Sequence, residues 1–133
     1  MTGRRRAVAL ALALLVLLVA ALVVETARAT DRQQLVAASV IRHEFGSGRL
    51  GGCFMAIANR ETGGTFDPAA ANWGDRHADG SRGSFGLLQI GALWRRPGET
   101  VTAFARRMFD PAQNAALAHR IYRRYGIAPW GSC

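Results

Sequence analysis

The sequence predicts a mainly α-helical fold, with one small disulfide-bonded domain that follows an N-terminal signal peptide. Four segments place apolar residues at helical spacing, and two of them begin with a capping-box pattern. No segment alternates apolar and polar residues over a useful strand length. The chain of 133 residues is long enough for one domain.

Residues 1–29 have the composition of a targeting segment. Residues 1–6 are basic, residues 7–24 form an unbroken apolar run, and residues 27–29 (Ala-Arg-Ala) fit a small-x-small cleavage site. The apolar run of 18 residues also just reaches membrane-spanning length, so an uncleaved anchor is the alternative to a signal peptide. Either segment predicts that residues 30–133 lie outside the cytoplasm, as a secreted, cell-wall or membrane-anchored domain.

The domain 30–133 contains the predicted helices and one long loop. The helices cover about 31–45, 53–61, 100–108 and 110–125. Residues 46–52 form a turn-rich link, and residues 63–86 form a polar, glycine-rich loop with at most short turns. Long loops in compact domains tend to be functional, which makes the loop after the second helix a candidate site.

The cysteines and the charge fit an exported domain. Cys53 and Cys133 are predicted to pair, because two free thiols are unusual outside the cytoplasm. In the chain-entropy model, closing so long a loop is worth roughly 4 kcal/mol. From Thr30 onward, 13 arginines and 8 acidic residues leave a charge of about +5. This charge suits an anionic partner such as a cell-wall polymer or a membrane surface, and a merely solvated basic face is the alternative.

Glu61 is the candidate catalytic residue. It shares one helix face with Phe54 and Ile57, so its carboxyl group is expected at the edge of an apolar surface. The glycine pair at 63–64 ends the helix and places Glu61 in its last turn, where the helix carbonyl groups oppose a negative charge. Desolvation and the helix dipole both favour the protonated acid, which can donate a proton to a leaving group. An ordinary solvated glutamate is the alternative.

Motifs that follow Glu61 strengthen the catalytic interpretation. In chain order they are Glu61-Thr62, Ala71-Asn72, Gly83-Ser-Phe-Gly-Leu-Leu-Gln-Ile90, Phe109-Asp-Pro-Ala-Gln-Asn114 and Pro129-Trp130. This ordered set resembles the transglycosylase/lysozyme-like family of peptidoglycan-cleaving domains, which includes soluble lytic transglycosylases and goose-type lysozymes. The resemblance covers about residues 54–130. The chain departs from the family pattern at Thr62, which replaces the usual serine, and in the long polar stretch 73–82.

The resemblance implies a lysozyme-like fold in which Glu61 is the catalytic acid/base. The substrate-binding residues that it implies are Thr62, Asn72, Ser84, Gln89 and Ile90. The implied substrate is peptidoglycan, cleaved at the β-1,4 bond between N-acetylmuramic acid and N-acetylglucosamine by an exported lytic transglycosylase. We expect such a protein to act as a monomer on glycan strands.

The residues themselves leave the reaction type open. Glycoside hydrolysis ordinarily needs two carboxyl groups. A lytic transglycosylase needs one, because the sugar's own 6-hydroxyl attacks the anomeric carbon, and one well-placed glutamate favours this route. Asp67, Asp75 and Asp79 are candidates for a second carboxylate, which beside a water on the far sugar face would make the protein a hydrolytic lysozyme. An inactive cell-wall-binding module and a basic protein that acts on membranes are the further alternatives.

The sequence disfavours other kinds of site. Residues 75–80 imitate the start of a calcium loop, but the twelfth position holds Gly86 where a glutamate is needed. The three histidines lack zinc spacing. Nucleic acid would suit the charge, but export argues against it and no nucleic-acid motif is visible. We therefore expect no metal, no cofactor and no nucleic-acid partner.

The three tryptophans are candidates for stacking on sugar rings. Trp73 lies in the predicted loop, and Trp94 follows the glutamine-isoleucine motif. Trp130 is expected to pack in the core beside the disulfide instead.

Overall fold

The computed structural model describes residues 2–133, with side chains described from residue 7 onward. The side chains of Arg4 to Arg6, the basic start of the predicted signal peptide, therefore lie outside the described residues. The described residues divide into two compact units, and the division falls between Arg32 and Gln33. The prediction of a mainly α-helical fold is confirmed, since four α-helices hold most of the described residues.

Helix α1 (Thr2–Phe45) contains the apolar N-terminal segment. Its Ala7–Phe45 stretch is long and apolar enough to cross a membrane, a test that signal sequences also pass. The predicted helix start at Asp31 is wrong, because α1 begins far upstream and continues through the capping-box residues. The residues between the apolar run and Asp31 include no glycine or proline, so nothing there interrupts the helical hydrogen bonds. The signal peptide and its cleavage stay predictions.

Helix α2 (Arg49–Glu61) starts earlier than the sequence predicts, so the predicted link over 46–52 is shorter. Gly51 permits this start, since a Cβ atom at this position would lie 1.9 Å from the carbonyl oxygen of Gly46. The end of the helix agrees with the prediction. Gly64 has a φ of 85° and donates from its backbone N–H to the carbonyl oxygen of Asn59 at 2.7 Å.

The first two strands of a three-stranded antiparallel sheet lie in the segment 63–86, which the sequence predicts to be a loop, and the third strand follows it. Its strands pair in the order β1 (Ala71–Arg76), β2 (Arg82–Phe85) and β3 (Ile90–Gly91). Asn72 of β1 lies opposite Ser84 of β2, and the register becomes irregular after Asn72. The expectation of no strand was wrong because β1 is exposed along almost its whole length. Its residues therefore show no alternation of apolar and polar side chains.

Helices α3 (Val101–Met108) and α4 (Pro111–Tyr125) agree with the predicted helices. Thr100 and Asp110 cap them, and each side chain accepts a hydrogen bond from the backbone N–H three residues on, at 3.1 and 3.0 Å. Two short 3-10 turns, Ala92–Trp94 and Ala128–Trp130, complete the described elements.

The core of residues 33–133 is built from one face of each helix and from the sheet. Its fully buried aromatic side chains are Phe54, Phe85 and Phe104. The predicted disulfide between Cys53 and Cys133 is confirmed, with the two Cα atoms 4.8 Å apart. It joins α2 to the segment of residues 128–133, called the 128–133 segment below.

Asn114 of α4 is a fully buried polar residue that connects three elements. Its side chain donates to the carbonyl oxygens of Phe85 at 2.9 Å and Met108 at 3.1 Å, and it accepts from the backbone N–H of Leu88 at 2.9 Å. Gly86, with a φ of 80°, lies so close that a Cβ atom there would be 2.3 Å from the Asn114 amide nitrogen. The turn between β2 and β3 is thereby held against α3 and α4.

Glu99 and Arg107 form a largely buried ion pair between the loop before α3 and α3 itself. Arg107 donates to both carboxylate oxygens of Glu99, at 2.8 and 2.7 Å, and each side chain is 12% exposed. The backbone N–H of Arg96 donates to the same carboxylate at 3.0 Å. The hydrogen bonds from Arg107, followed by that from Arg96, lower the pKa of Glu99 from 4.5 to about 2.

Replacing this carboxylate is expected to reduce the acid sensitivity of the fold. Because the folded pKa is depressed, the pair stabilises the protein fully above the unfolded pKa of 4.5, and this stabilisation is lost as the pH falls to about 2. Glu99→Gln should lower the Tm at neutral pH but lose less Tm on acidification. Thermal unfolding followed by tryptophan fluorescence measures both. Asp31→Asn, which changes an exposed carboxylate, is the control. An equal loss of Tm on acidification in wild type and Glu99→Gln would contradict this role of Glu99.

Candidate functional site

A groove of about 440 Å³ lies beside the end of α2. Its lining includes most of the residues that the sequence singles out, namely Glu61, Asn72, Ser84, Gln89 and Ile90. The other lining residues are Asp75, His77, Gly91, Leu93, Trp94, Ile121, Pro129 and Trp130. The sheet and the 128–133 segment therefore bring together motifs that are far apart in the chain.

Glu61 is the last residue of α2, and its side chain is 28% exposed. Its Oε1 accepts two hydrogen bonds from Arg60, from Nε at 3.2 Å and from Nη2 at 3.1 Å. Within the part of the chain that the structure describes, its Oε2 has no hydrogen-bond partner. One carboxylate oxygen is therefore held by the protein, and the other is free to meet a ligand in the groove.

The contact between Arg60 and Glu61 was not anticipated from the sequence. Neighbouring residues on a helix normally face different directions, so adjacency is no signal for an ion pair.

Asp75, which the sequence could not place, lines the same groove as Glu61. The hydroxyl of Ser84, itself 5% exposed, donates a hydrogen bond to its Oδ2. His77, in the turn of the hairpin that β1 and β2 form, also lines the groove. Its Nε2 donates to the carbonyl oxygen of Gly83 at 2.8 Å. The groove therefore contains a second carboxylate, oriented by a buried serine.

The other two candidate aspartates do not line the groove. Asp67 accepts from the backbone N–H of Ala69 at 2.9 Å, as expected of a turn residue. Asp79 accepts from the hydroxyl and backbone N–H of Ser81, and these bonds lower its pKa. In the described residues, no cluster of three or more histidine, cysteine, aspartate or glutamate side chains could hold a metal ion.

Gln89 lies in the turn between β2 and β3, and its side chain connects this turn to the residue that precedes β1. Its Nε2 donates to the carbonyl oxygens of Ala70 at 3.0 Å and Gly86 at 2.9 Å. Its backbone adopts a φ of 46°, which is uncommon for a residue other than glycine. The side-chain amide thus has a structural role in addition to its place on the groove wall, where Ile90 contributes an apolar surface that is 2% exposed.

Thr62 is the predicted binding residue that does not line the groove. It is 9% exposed, its hydroxyl donates to the carbonyl oxygen of Ala58 at 2.8 Å, and it accepts from the backbone N–H of Phe66 at 2.9 Å. Phe66 itself is buried with a φ of 54°. The hydroxyl therefore stabilises the chain reversal that follows Glu61.

The tryptophans occupy three different environments. Trp94 lines the groove and packs against Tyr125, with ring centroids 5.2 Å apart. Trp130 also lines the groove, and its ring packs edge-on against Phe54 in the core at 5.2 Å. Trp73 is 54% exposed and does not line the groove. Trp94 and Trp130 are therefore the two placed to contact a ligand.

Comparisons of the chain with protein-family models, curated proteins and solved structures give no match. The family resemblance thus depends on the motif order and residue types alone. It stays a prediction, to which the groove adds an independent observation about where the motif residues lie.

The Thr62 hydroxyl is expected to contribute to stability through its acceptor role. Thr62→Val keeps the shape but leaves the buried N–H of Phe66 without an acceptor, so the free energy of unfolding should fall by about 1–3 kcal/mol. Thr62→Ser, which keeps the hydroxyl, is the matched control and should remain close to wild type. Chemical denaturation followed by tryptophan fluorescence measures the difference, and equal stability of the valine and serine variants would contradict this role.

Proposed function

We propose that the protein is an exported lytic transglycosylase with a lysozyme-like domain, which cleaves the β-1,4 bond between N-acetylmuramic acid and N-acetylglucosamine in peptidoglycan. The observation that carries the proposal is the groove in which Glu61 meets Asn72, Ser84 and Gln89. These are the residues that the family motif assigns to acid/base catalysis and to the sugar groove. A groove lined by both polar and aromatic side chains also suits a glycan strand.

In the proposed reaction, Glu61 acts twice. Its protonated carboxyl group donates a proton to the glycosidic oxygen as the bond to the anomeric carbon breaks. The 6-hydroxyl of the N-acetylmuramic acid then attacks the anomeric carbon and forms the 1,6-anhydro ring, while the Glu61 carboxylate takes up the hydroxyl proton. The products are the anhydro sugar end and a free 4-hydroxyl on the leaving sugar, with no water consumed.

Polar and aromatic groups around Glu61 support its role as the acid and then the base. The free Oε2 is the atom that could exchange the proton, since Oε1 is occupied by Arg60. Asn72, the Oε1 atom of Gln89 and the backbone of Gly91 offer polar groups along the groove. Trp94 and Trp130 offer aromatic faces on which sugar rings can stack.

Export is supported by two features of the chain. The N-terminal apolar helix is compatible with a signal peptide or a membrane anchor, and the Cys53–Cys133 disulfide suits an oxidising compartment. The positive charge of residues 30–133 would favour association with an anionic cell wall.

Hydrolysis by water is the second candidate, and Asp75 is the observation that favours it. A carboxylate in the same groove as the acid is the component that a hydrolytic lysozyme needs and a lytic transglycosylase does not. The bond from Ser84 fixes Oδ2 and leaves Oδ1 as the atom that could accept a proton from water.

Glu61→Gln tests the shared part of both mechanisms. The amide cannot donate or accept the catalytic proton, so the rate of release of fragments from purified peptidoglycan should fall roughly 100- to 10,000-fold with the fold intact. Asp67→Asn, which alters a nearby carboxylate outside the groove, is the control and should remain active. A Glu61→Gln protein with near wild-type rates would contradict the proposed function.

Asp75→Asn separates the two candidate reactions. If Glu61 works alone, the variant should retain activity within a few-fold of wild type. If Asp75 activates the water, the rate should fall roughly 100-fold or more. Asp79→Asn on the same hairpin is the matched control, because its side chain lies outside the groove and an asparagine can still accept from Ser81.

A further inference from the structure

The guanidinium of Arg60 donates hydrogen bonds to two parts of the protein, the Glu61 carboxylate and the 128–133 segment. Towards the groove, Nε and Nη2 donate to Oε1 of Glu61. Towards the 128–133 segment, Nη1 donates to the carbonyl oxygen of Ser132 at 3.0 Å and Nη2 donates to that of Trp130 at 2.8 Å. All three nitrogens therefore have protein acceptors, although the side chain is 43% exposed.

The 128–133 segment is anchored independently of Arg60. Cys133 is bonded to Cys53 of α2, and the indole Nε1 of Trp130 donates to the carbonyl oxygen of Leu88 at 3.0 Å. The Trp130 ring also packs against Phe54. The two carbonyl oxygens that accept from Arg60 thus have fixed positions, and they limit the orientations that the guanidinium can adopt.

We propose that Arg60 is a positioning residue for Glu61, with the disulfide-anchored 128–133 segment as its support; this inference rests on the proposed function. The guanidinium holds Oε1 and so sets the orientation of the carboxyl group, which leaves Oε2 for the sugar oxygens. The planar fork of an arginine suits several acceptors in fixed directions, which a lysine cannot match.

The positive charge of Arg60 has a role after proton transfer, in addition to the positioning of the Glu61 carboxyl group. After Glu61 has given up its proton, the same guanidinium stabilises the carboxylate that results. We therefore expect positioning and stabilisation of the ionised intermediate to show in kcat more than in KM.

Steady-state kinetics of the full chain in detergent, on soluble glycan strands from purified peptidoglycan, test this role. Arg60→Gln should lower kcat roughly 100-fold and change KM by no more than about threefold, because the groove contacts remain while the acid loses its orientation. Arg60→Lys should be intermediate, since it keeps the charge and loses the fork. The control Arg106→Gln removes an exposed charge on α3 and should behave as wild type.

The support by the 128–133 segment is tested by combining substitutions. In a protein with Cys53→Ser and Cys133→Ser, the segment is less firmly held, so kcat should be lower and adding Arg60→Gln should cost less than it does in the disulfide-bonded protein. If Arg60→Gln does not fold, Arg60→Lys and the double serine variant carry the test. Both should then lower kcat at nearly constant KM.

A readout without catalysis separates this inference from the proposed function. Arg60→Gln, or Arg60→Lys in its place, should increase hydrogen exchange at the backbone amides of residues 130–132, because their neighbouring carbonyl groups lose the guanidinium. Unchanged exchange, a wild-type kcat, or independent effects of Arg60 and the disulfide would each overturn the positioning role. A wild-type protein that exchanges as expected but releases nothing from peptidoglycan would instead overturn the proposed function.

Discussion

The buried apolar face of α2 fixes the position of Glu61, and the rest of the site is arranged around it. Phe54, Ile57 and Ala58 are completely buried, so the helix has one stable orientation on the core. Glu61 follows one turn later on the same face, where the core ends and the groove begins. Burying that face stabilises the domain by the hydrophobic effect and simultaneously places a carboxyl group at the edge of the core.

The opposite wall of the groove depends on polar contacts more than on apolar packing. Asn114 holds the turn between β2 and β3 through backbone groups of Phe85 and Leu88, and its third bond, to Met108, joins that turn to the end of α3. The same turn carries Gln89. Gln89 in turn holds the beginning of the hairpin through Ala70. Loss of any buried partner in such a network leaves a desolvated donor or acceptor, so the wall is rigid as long as all its members are present.

Helices α3 and α4 and the end of α2 were predictable because their signals are local. Capping by Thr100 and Asp110, the glycine stop after Glu61 and the apolar periodicity of α4 all act within a few residues. The sheet was not predictable, because β1 is an exposed and irregular strand whose pairing with β2 is decided by tertiary contacts. The start of α2 was also missed, since the close approach of Gly51 to Gly46 is invisible in a one-dimensional pattern.

The candidate site could be predicted only where its residues belong to a local sequence motif. Motif order identified Glu61 as the candidate acid and four further residues that line the groove with it, namely Asn72, Ser84, Gln89 and Ile90, but spacing alone could not place Asp75 beside them. Arg60 escaped notice because its acceptors are carbonyl groups about 70 residues away in the chain. Thr62 follows Glu61 in the sequence, yet its hydroxyl group is hydrogen-bonded to the backbone of Ala58 and Phe66.

In the proposed reaction, Glu61 cleaves the glycan strand without water as a co-substrate. The most direct measurement is mass spectrometry of the fragments that the full chain releases from purified peptidoglycan. We expect fragments with anhydromuramyl ends, which are lighter by one water than the hydrolysis products. Fragments with ordinary reducing ends would contradict the transglycosylase reaction, and no release by well-folded protein would contradict the assignment of a catalytic function.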